Sequence, residues 1–196
     1  MKIHLFNDSE NLKIYRQQMV ACTGHRFVKN EEFSNLQEGD IEYNIRRMLR
    51  DAIDVAHRRY GKNIFISGGA TGTDQWFALE VLKLKELVDD VMLIIAKPFP
   101  SQDIRWPLAI REKFHWLCSQ ADLIVDVNPD PYAAWKMHAR NAWMVDHSSM
   151  LIAMHCDGVD VGGTAACLSY AHKKRAFIYE IDPANQGSIR LYNEPE

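Results

Sequence analysis

The chain has 196 residues, 47% of them apolar and 25% charged, with 23 Lys and Arg against 26 Asp and Glu for a formal net charge of -3. That length supports one well-buried core, and that balance excludes a disordered or fibrous chain. The acidic balance weighs against a surface made mainly to neutralise long nucleic acid, no apolar run is long enough to cross a membrane, and four scattered cysteines without a CxxC pair exclude a zinc ribbon or disulfide scaffold.

In chain order, residues 1–15 interrupt their apolar positions with Asn, Asp, Glu and Lys, unlike a signal peptide, so a cytoplasmic location with reduced thiols is expected. Met19 to Cys22 reads as a short buried strand that runs into Thr23-Gly24-His25-Arg26. From Asp40 to Tyr60, Ile41, Ile45, Met48, Leu49, Ala52, Ile53 and Ala56 fall at helical spacing with charge opposite. Asn63 to Ser67 is the next strand, a glycine-rich turn follows, and Asp74 to Leu87 is a helix. Val91 to Ala96 is a continuous apolar strand of the kind covered on both faces. A proline-punctuated loop then leads to a helix over Leu108 to Ser119. Three further units follow: strand Asp122 to Val127 with helix Tyr132 to Asp146, strand Met150 to Met154 with helix Thr164 to Lys174, and strand Phe177 to Tyr179. This alternation predicts a Rossmann-like, doubly wound, mostly parallel α/β sheet with helices on both faces. A single domain over residues 1–196 is expected, with its core at 17–181 and decorations at 1–16 and 183–196.

Two turns stand out because each joins a strand to a helix. In Ser67-Gly68-Gly69-Ala70-Thr71-Gly72-Thr73-Asp74, backbone N–H groups beside a helix N-terminus form a cradle suited to phosphate or carboxylate. Ser67, Thr71 and Thr73 add hydroxyls, and Asp74 either caps the helix or accepts from a sugar hydroxyl. The competing reading is a tight turn whose glycines allow close packing. It is neither a Walker A loop, which needs Lys after the last Gly, nor a GxGxxG fingerprint. The second turn, Gly162-Gly163-Thr164, would converge on the same crevice, with helix capping by Thr164 as its bland alternative.

These turns carry a resemblance. SGGATGTDQWFALE, followed about ninety residues later by GGTAACLSYAHKKRAFIYEI, resembles the paired signatures of the SLOG superfamily, which groups the DprA/Smf and LOG proteins. TGHR at 23–26, SGGATGTDQW at 67–76, RNAWMVDHSSMLIA at 140–153 and GGT at 162–164 are most similar to its YpsA-like branch. The resemblance implies a Rossmann-like sheet whose glycine turns bind a nucleotide or nucleotide-derived molecule, as a sensor or sequestering protein. LOG proteins are nucleotide phosphoribohydrolases with an arginine and a glutamate beside PGGxGTxxE. Here Asp74 lies in a differently spaced turn, and Gly163-Thr164 is followed by Ala165 and Ala166, a departure that weighs against cleavage of an N-glycosidic bond. DprA-like proteins bind single-stranded DNA; in this acidic chain the run Lys173-Lys174-Arg175 is more simply a solvated helix end.

Other residues have paired readings. Arg26 is placed to reach a phosphate or to make a surface ion pair, and His25 to donate to that phosphate or carry a proton. Arg140 could pair with phosphate or with an internal carboxylate, and Asn141 could read a base or ribose. Asp146, next to His147, is an acid/base candidate or a helix-end residue, and Trp76 a stacking platform or core. The candidate ligand set is therefore Gly24, His25, Arg26, the turn residues Ser67, Gly68, Gly69, Thr71, Gly72, Thr73 and Asp74, then Trp76, Arg140, Asn141, Gly162, Gly163 and Thr164. Asp74, Asp146 and His25 are the catalytic candidates if a nucleotide is hydrolysed. The adjacent residues His155, Cys156 and Asp157 point apart on an extended chain, so no metal site is expected from them. A homo-oligomer is compatible with the five tryptophans.

Overall fold

The computed structural model describes residues 15–26 and 38–195. Of the N-terminal decoration expected over 1–16, residues 1–14 lie outside the described residues. The strands are β1 (Met19–Gly24), β2 (Ile64–Ser67), β3 (Met92–Lys97), β4 (Leu123–Asp126), β5 (Met150–Met154), β6 (Phe177–Asp182) and β7 (Ser188–Tyr192). The helices are α1 (Glu38–Tyr60), α2 (Thr73–Lys85), α3 (Leu108–Gln120), α4 (Ala134–His147) and α5 (Gly163–Lys173).

Side chains on a strand alternate between faces, and β1 shows how this sequence uses both. Val20 and Cys22 enter one core with Ile45, Leu49 and Ile53 of α1, Phe77 and Val81 of α2, and Phe114 and Leu117 of α3. Met19 and Ala21 enter the other, with Met144 and Val145 of α4 and Cys167, Leu168 and Ala171 of α5. Burial on both faces explains why β1, β2 and β5 read as unbroken apolar runs.

One seven-stranded sheet has the order β4-β3-β2-β1-β5-β6-β7. The chain winds outward from β1 to β4, then returns to place β5 on the other side of β1, with Gly24 beside Met154 at the carboxyl ends. That reversal between β1 and β5 is the switch point at which an open α/β sheet leaves a crevice. All pairings are parallel except β6 with β7.

Strand β7 was not evident in the sequence pattern. It lies in the tail after Pro183, its side chains are mostly exposed, and Ile189 and Leu191 do not mark a buried face. The signal was the turn before it, where Gln186 (φ 53°) and Gly187 (φ 74°) both adopt the left-handed region and reverse the chain.

Candidate functional site

A crevice of about 280 Å³ opens at the switch point. Its walls come from the β1 exit (Thr23 to Arg26), from Asp74 at the start of α2, from Arg140 and Asn141 on α4, and from Gly162 to Thr164 at the start of α5. The doubly wound topology delivers these four segments to one place because each follows a strand's carboxyl end or rides on a helix packed beside it.

The turn from Ser67 to Asp74 is largely satisfied by its own atoms. Gly69 N–H donates to Ser67 Oγ (3.1 Å), and that hydroxyl donates to the Asp74 carbonyl (2.7 Å). Ala70 N–H donates to Asp74 Oδ2 (3.3 Å), and Arg140 Nη1 donates to the same oxygen (3.1 Å). The chain's own carboxylate thus sits on an N–H of the turn. Thr73 turns the other way, its hydroxyl donating to the His25 carbonyl (2.7 Å), which ties the β1 exit to α2.

Two glycines make this arrangement possible. A Cβ on Gly68 would lie 1.0 Å from Arg140 Nη1, so the guanidinium crosses directly over that residue. Gly72 has φ +84°, and a Cβ there would lie 2.4 Å from the Arg26 carbonyl oxygen. Both belong to the packing reading of the turn as much as to binding.

The Arg140 and Asp74 side chains are 9% and 8% exposed. Burial pushes the Asp74 carboxyl above its usual range, with the Arg140 guanidinium pulling the other way. Nη1 of Arg140 serves Asp74, but its Nε is buried without an acceptor among the described residues. A buried unpaired donor on a charged group is costly, and this one belongs to a side chain that lines the crevice.

The Gly162 turn is different. Helix α5 has no side-chain cap and no acidic residue in its first turn, and Cβ atoms on Gly162 or Gly163 would meet nothing within 4 Å. The N–H groups of a helix's first turn have no intrahelical acceptors, so this end of α5 offers positive potential to the crevice. Asn141 braces it by donating from Nδ2 to the Gly163 carbonyl (3.2 Å). Arg26 is exposed and also lines the crevice. His25 is half-buried; burial, then the neighbouring His155 ring at 5.2 Å between centroids, lowers its pKa and favours the neutral imidazole.

The crevice lining thus brings together Gly24, His25, Arg26, Asp74, Arg140, Asn141, Gly162, Gly163 and Thr164 of the residues expected from sequence. Ser67, Gly68, Gly69, Thr71, Gly72 and Thr73 support it from behind rather than lining it, and Trp76 packs against the core beneath α1 to α3. Asp146 is remote: it sits near the far end of α4, accepts from Tyr170 Oη (2.8 Å) and pairs with Lys174 (3.0 Å). Met137 and Val161 line the crevice without having been expected. Met137 was findable, since it precedes Arg140 and Asn141 by three and four residues on the same helix face.

Behind His25 and outside the crevice lining, ligand-type atoms of His155, Asp157 and Glu180 lie within 4.8 Å of one another. Arg190 on β7 answers them, with Nη1 2.8 Å from one Asp157 oxygen and Nη2 3.1 Å from Glu180. His155 also bonds Glu180 (2.9 Å) and the Val159 carbonyl (3.0 Å), so this cluster anchors the loop leading to Gly162.

With this geometry in view, the sequence model of the YspA SLOG family matches residues 20–183. The uncharacterised prophage-derived protein YoqJ of Bacillus subtilis is 36% identical over 136 residues, covering 64% of this chain and 78% of YoqJ. YpsA of the same organism, a UPF0398 protein, is 23% identical over 159 residues, covering 81% of this chain and 86% of YpsA. Among solved structures, DNA processing protein A of Helicobacter pylori, described for its binding of single-stranded DNA, superposes with a TM-score of 0.58 at 19% identity, over 91% of this chain and 74% of that one. At that identity the likeness supports the fold alone. No described helix is long and apolar enough to cross a membrane.

Proposed function

Because the chain belongs to the YspA SLOG family, we propose that it binds a nucleotide or nucleotide-derived, phosphate-bearing small molecule in the β1/β5 crevice. The observation that carries this reading is the presence in one crevice of an uncapped α5 N-terminus and of Arg140, whose buried Nε has no acceptor among the described residues. A phosphate between them would receive main-chain N–H groups on one side and guanidinium donors on the other, with Arg26 closing the anionic end. Asn141 and the Thr164 hydroxyl would face the sugar or base. The seat within the Ser67 turn is assigned to Asp74, so the glycines there support Arg140 rather than cradle the ligand.

Thermal denaturation with a panel of nucleoside mono- and diphosphates tests this. A ligand at a hundred times its Kd adds about 2.7 kcal/mol of stability. We expect one class to raise Tm in the native protein and to lose that effect in Arg26→Gln. No response to any nucleotide, or a response unchanged in the variant, would refute the proposal. Chromatography of the incubated nucleotide separates binding from hydrolysis: intact nucleotide supports a binding protein, whereas free base would make the crevice a hydrolytic site.

A further inference from the structure

A second charged feature lies apart from the crevice, where α1 packs against α2. A groove of about 380 Å³ is lined by Glu42, Tyr43, Arg46, Arg47, Arg50 and Lys83, and it shares no residue with the crevice. On a chain of net charge -3, this is a local concentration of cations.

Behind the lining, and not part of it, lies the Glu80 carboxylate, whose side chain is 0% exposed. Arg46 Nε donates to one of its oxygens (2.7 Å), Arg50 Nε to the other (2.9 Å), and Lys83 Nζ lies 3.0 Å from the first. Burial alone would raise this carboxyl, but the hydrogen bonds from Arg50, Arg46 and Lys83 hold it below its usual range, so it is anionic at neutral pH. An arginine held by Nε alone keeps both Nη groups for other acceptors. Arg50 is 57% exposed, and its two Nη groups donate to no described residue. Arg46 gives Nη1 to Glu42 (3.1 Å) and keeps Nη2. Arg47 makes no ion pair with a described residue. Four cations against the carboxylates Glu42 and Glu80 leave a surplus of two positive charges.

The surplus is also linear. Arg46 and Arg50 are one helical turn apart, a rise of about 6 Å, and Tyr43, 68% exposed, continues the stripe toward the start of α1. The free fork of Arg50 and the remaining Nη2 of Arg46, spaced along a line with Arg47 and Lys83 beside them, match successive anionic groups better than one isolated anion, and a guanidinium fork such as that of Arg50 fits phosphoryl oxygens bidentately. We propose that the α1/α2 groove is a second anion site that takes a linear polyphosphate group, with Arg46 and Arg50 set in position by the buried Glu80. Its source is either free polyphosphate or the polyphosphate of an organic ester.

The test is an NMR titration of the arginine Nε–Hε signals of the full chain with sodium tripolyphosphate. Saturable shifts of Arg46, Arg47 and Arg50 are expected, with affinity falling about tenfold in Arg47→Gln/Lys83→Gln, which leaves both arginines on Glu80. Comparison with a nucleoside triphosphate identifies the source. Tighter binding of the ester that is lost in Tyr43→Ala assigns the site to an ester, and equal binding assigns it to free polyphosphate. The proposal is overturned if the shifts are confined to Arg26 and Arg140, if the double variant binds unchanged, or if a glutamate oligomer of equal charge binds as tightly. A responsive groove with a silent crevice leaves this site standing whatever the nucleotide panel shows of the crevice, so the two readings fail separately.

Discussion

The two glycine turns that face the switch point look alike in sequence and are opposite in state. At Ser67 to Asp74, the N–H of Gly69 is taken by Ser67, that of Ala70 by Asp74, and Arg140 completes a buried ion pair. Neither helix has a side-chain cap at its N-terminus, but at Gly162 to Thr164 the glycines border open space. Both turns supply small residues and a helix N-terminus, so those features do not by themselves make a binding site. The difference is whether the chain brings its own carboxylate: Asp74 stands in the first turn of α2, and α5 has no acidic residue there.

The contrast breaks most severely if the first turn loses its internal cation. Arg140→Met leaves the Asp74 carboxylate buried without its partner, and such losses cost about 3–5 kcal/mol. The pH dependence has a definite sign. Burial already raises Asp74 above its usual range, and removing Arg140 raises it further, so the ionised form opposes folding. The penalty is therefore full at neutral pH and shrinks as pH falls through the raised value and the carboxyl takes up a proton. Urea unfolding at neutral and acid pH measures it; an equal loss at both would show that the carboxylate is not the source. Gly68→Ala attacks the same pair sterically, since its Cβ would lie 1.0 Å from Arg140 Nη1. Overpacking of this kind costs about 1–3 kcal/mol, readable as a lower urea midpoint, and a native midpoint would mean that the guanidinium has room to move aside.

The fold was legible because its code is repetitive. Unbroken apolar strands such as Val91 to Ala96 and the helical stripe of α1 need no tertiary information. Strand β7 was not, because an exposed edge strand carries no buried face to leave a pattern. In the site, the segments were legible and the partnerships were not. TGHR, Arg140 and Gly162 to Thr164 all reach the crevice, yet the sequence left Arg140 divided between phosphate and carboxylate, and it engages Asp74 from 66 residues away. Asp146 had acid/base chemistry by type, but α4 carries it to the opposite end from the crevice, where Lys174 and Tyr170 engage it. Arg190 gave no local sign, since its partners Asp157 and Glu180 meet it only when the last hairpin closes.

The smallest expected effect on stability is the most informative for function. Gly163 starts α5, has no left-handed φ, and a Cβ there meets nothing within 4 Å. Gly163→Ala therefore removes unfolded-chain entropy without a clash and should stabilise the protein by about 0.5 kcal/mol. The added methyl nevertheless stands where a phosphate would approach the uncapped N–H groups. Stability and ligand response should move in opposite directions: a slightly higher Tm for the free protein, with a smaller nucleotide-induced rise than in the native chain. Gly68→Ala should lower the first quantity, so the two alanine variants measured together separate a turn that holds the fold from one left open to a ligand. If Gly163→Ala instead kept the full nucleotide response, the α5 end would not be the phosphate seat, and the contrast between the turns would be one of packing alone.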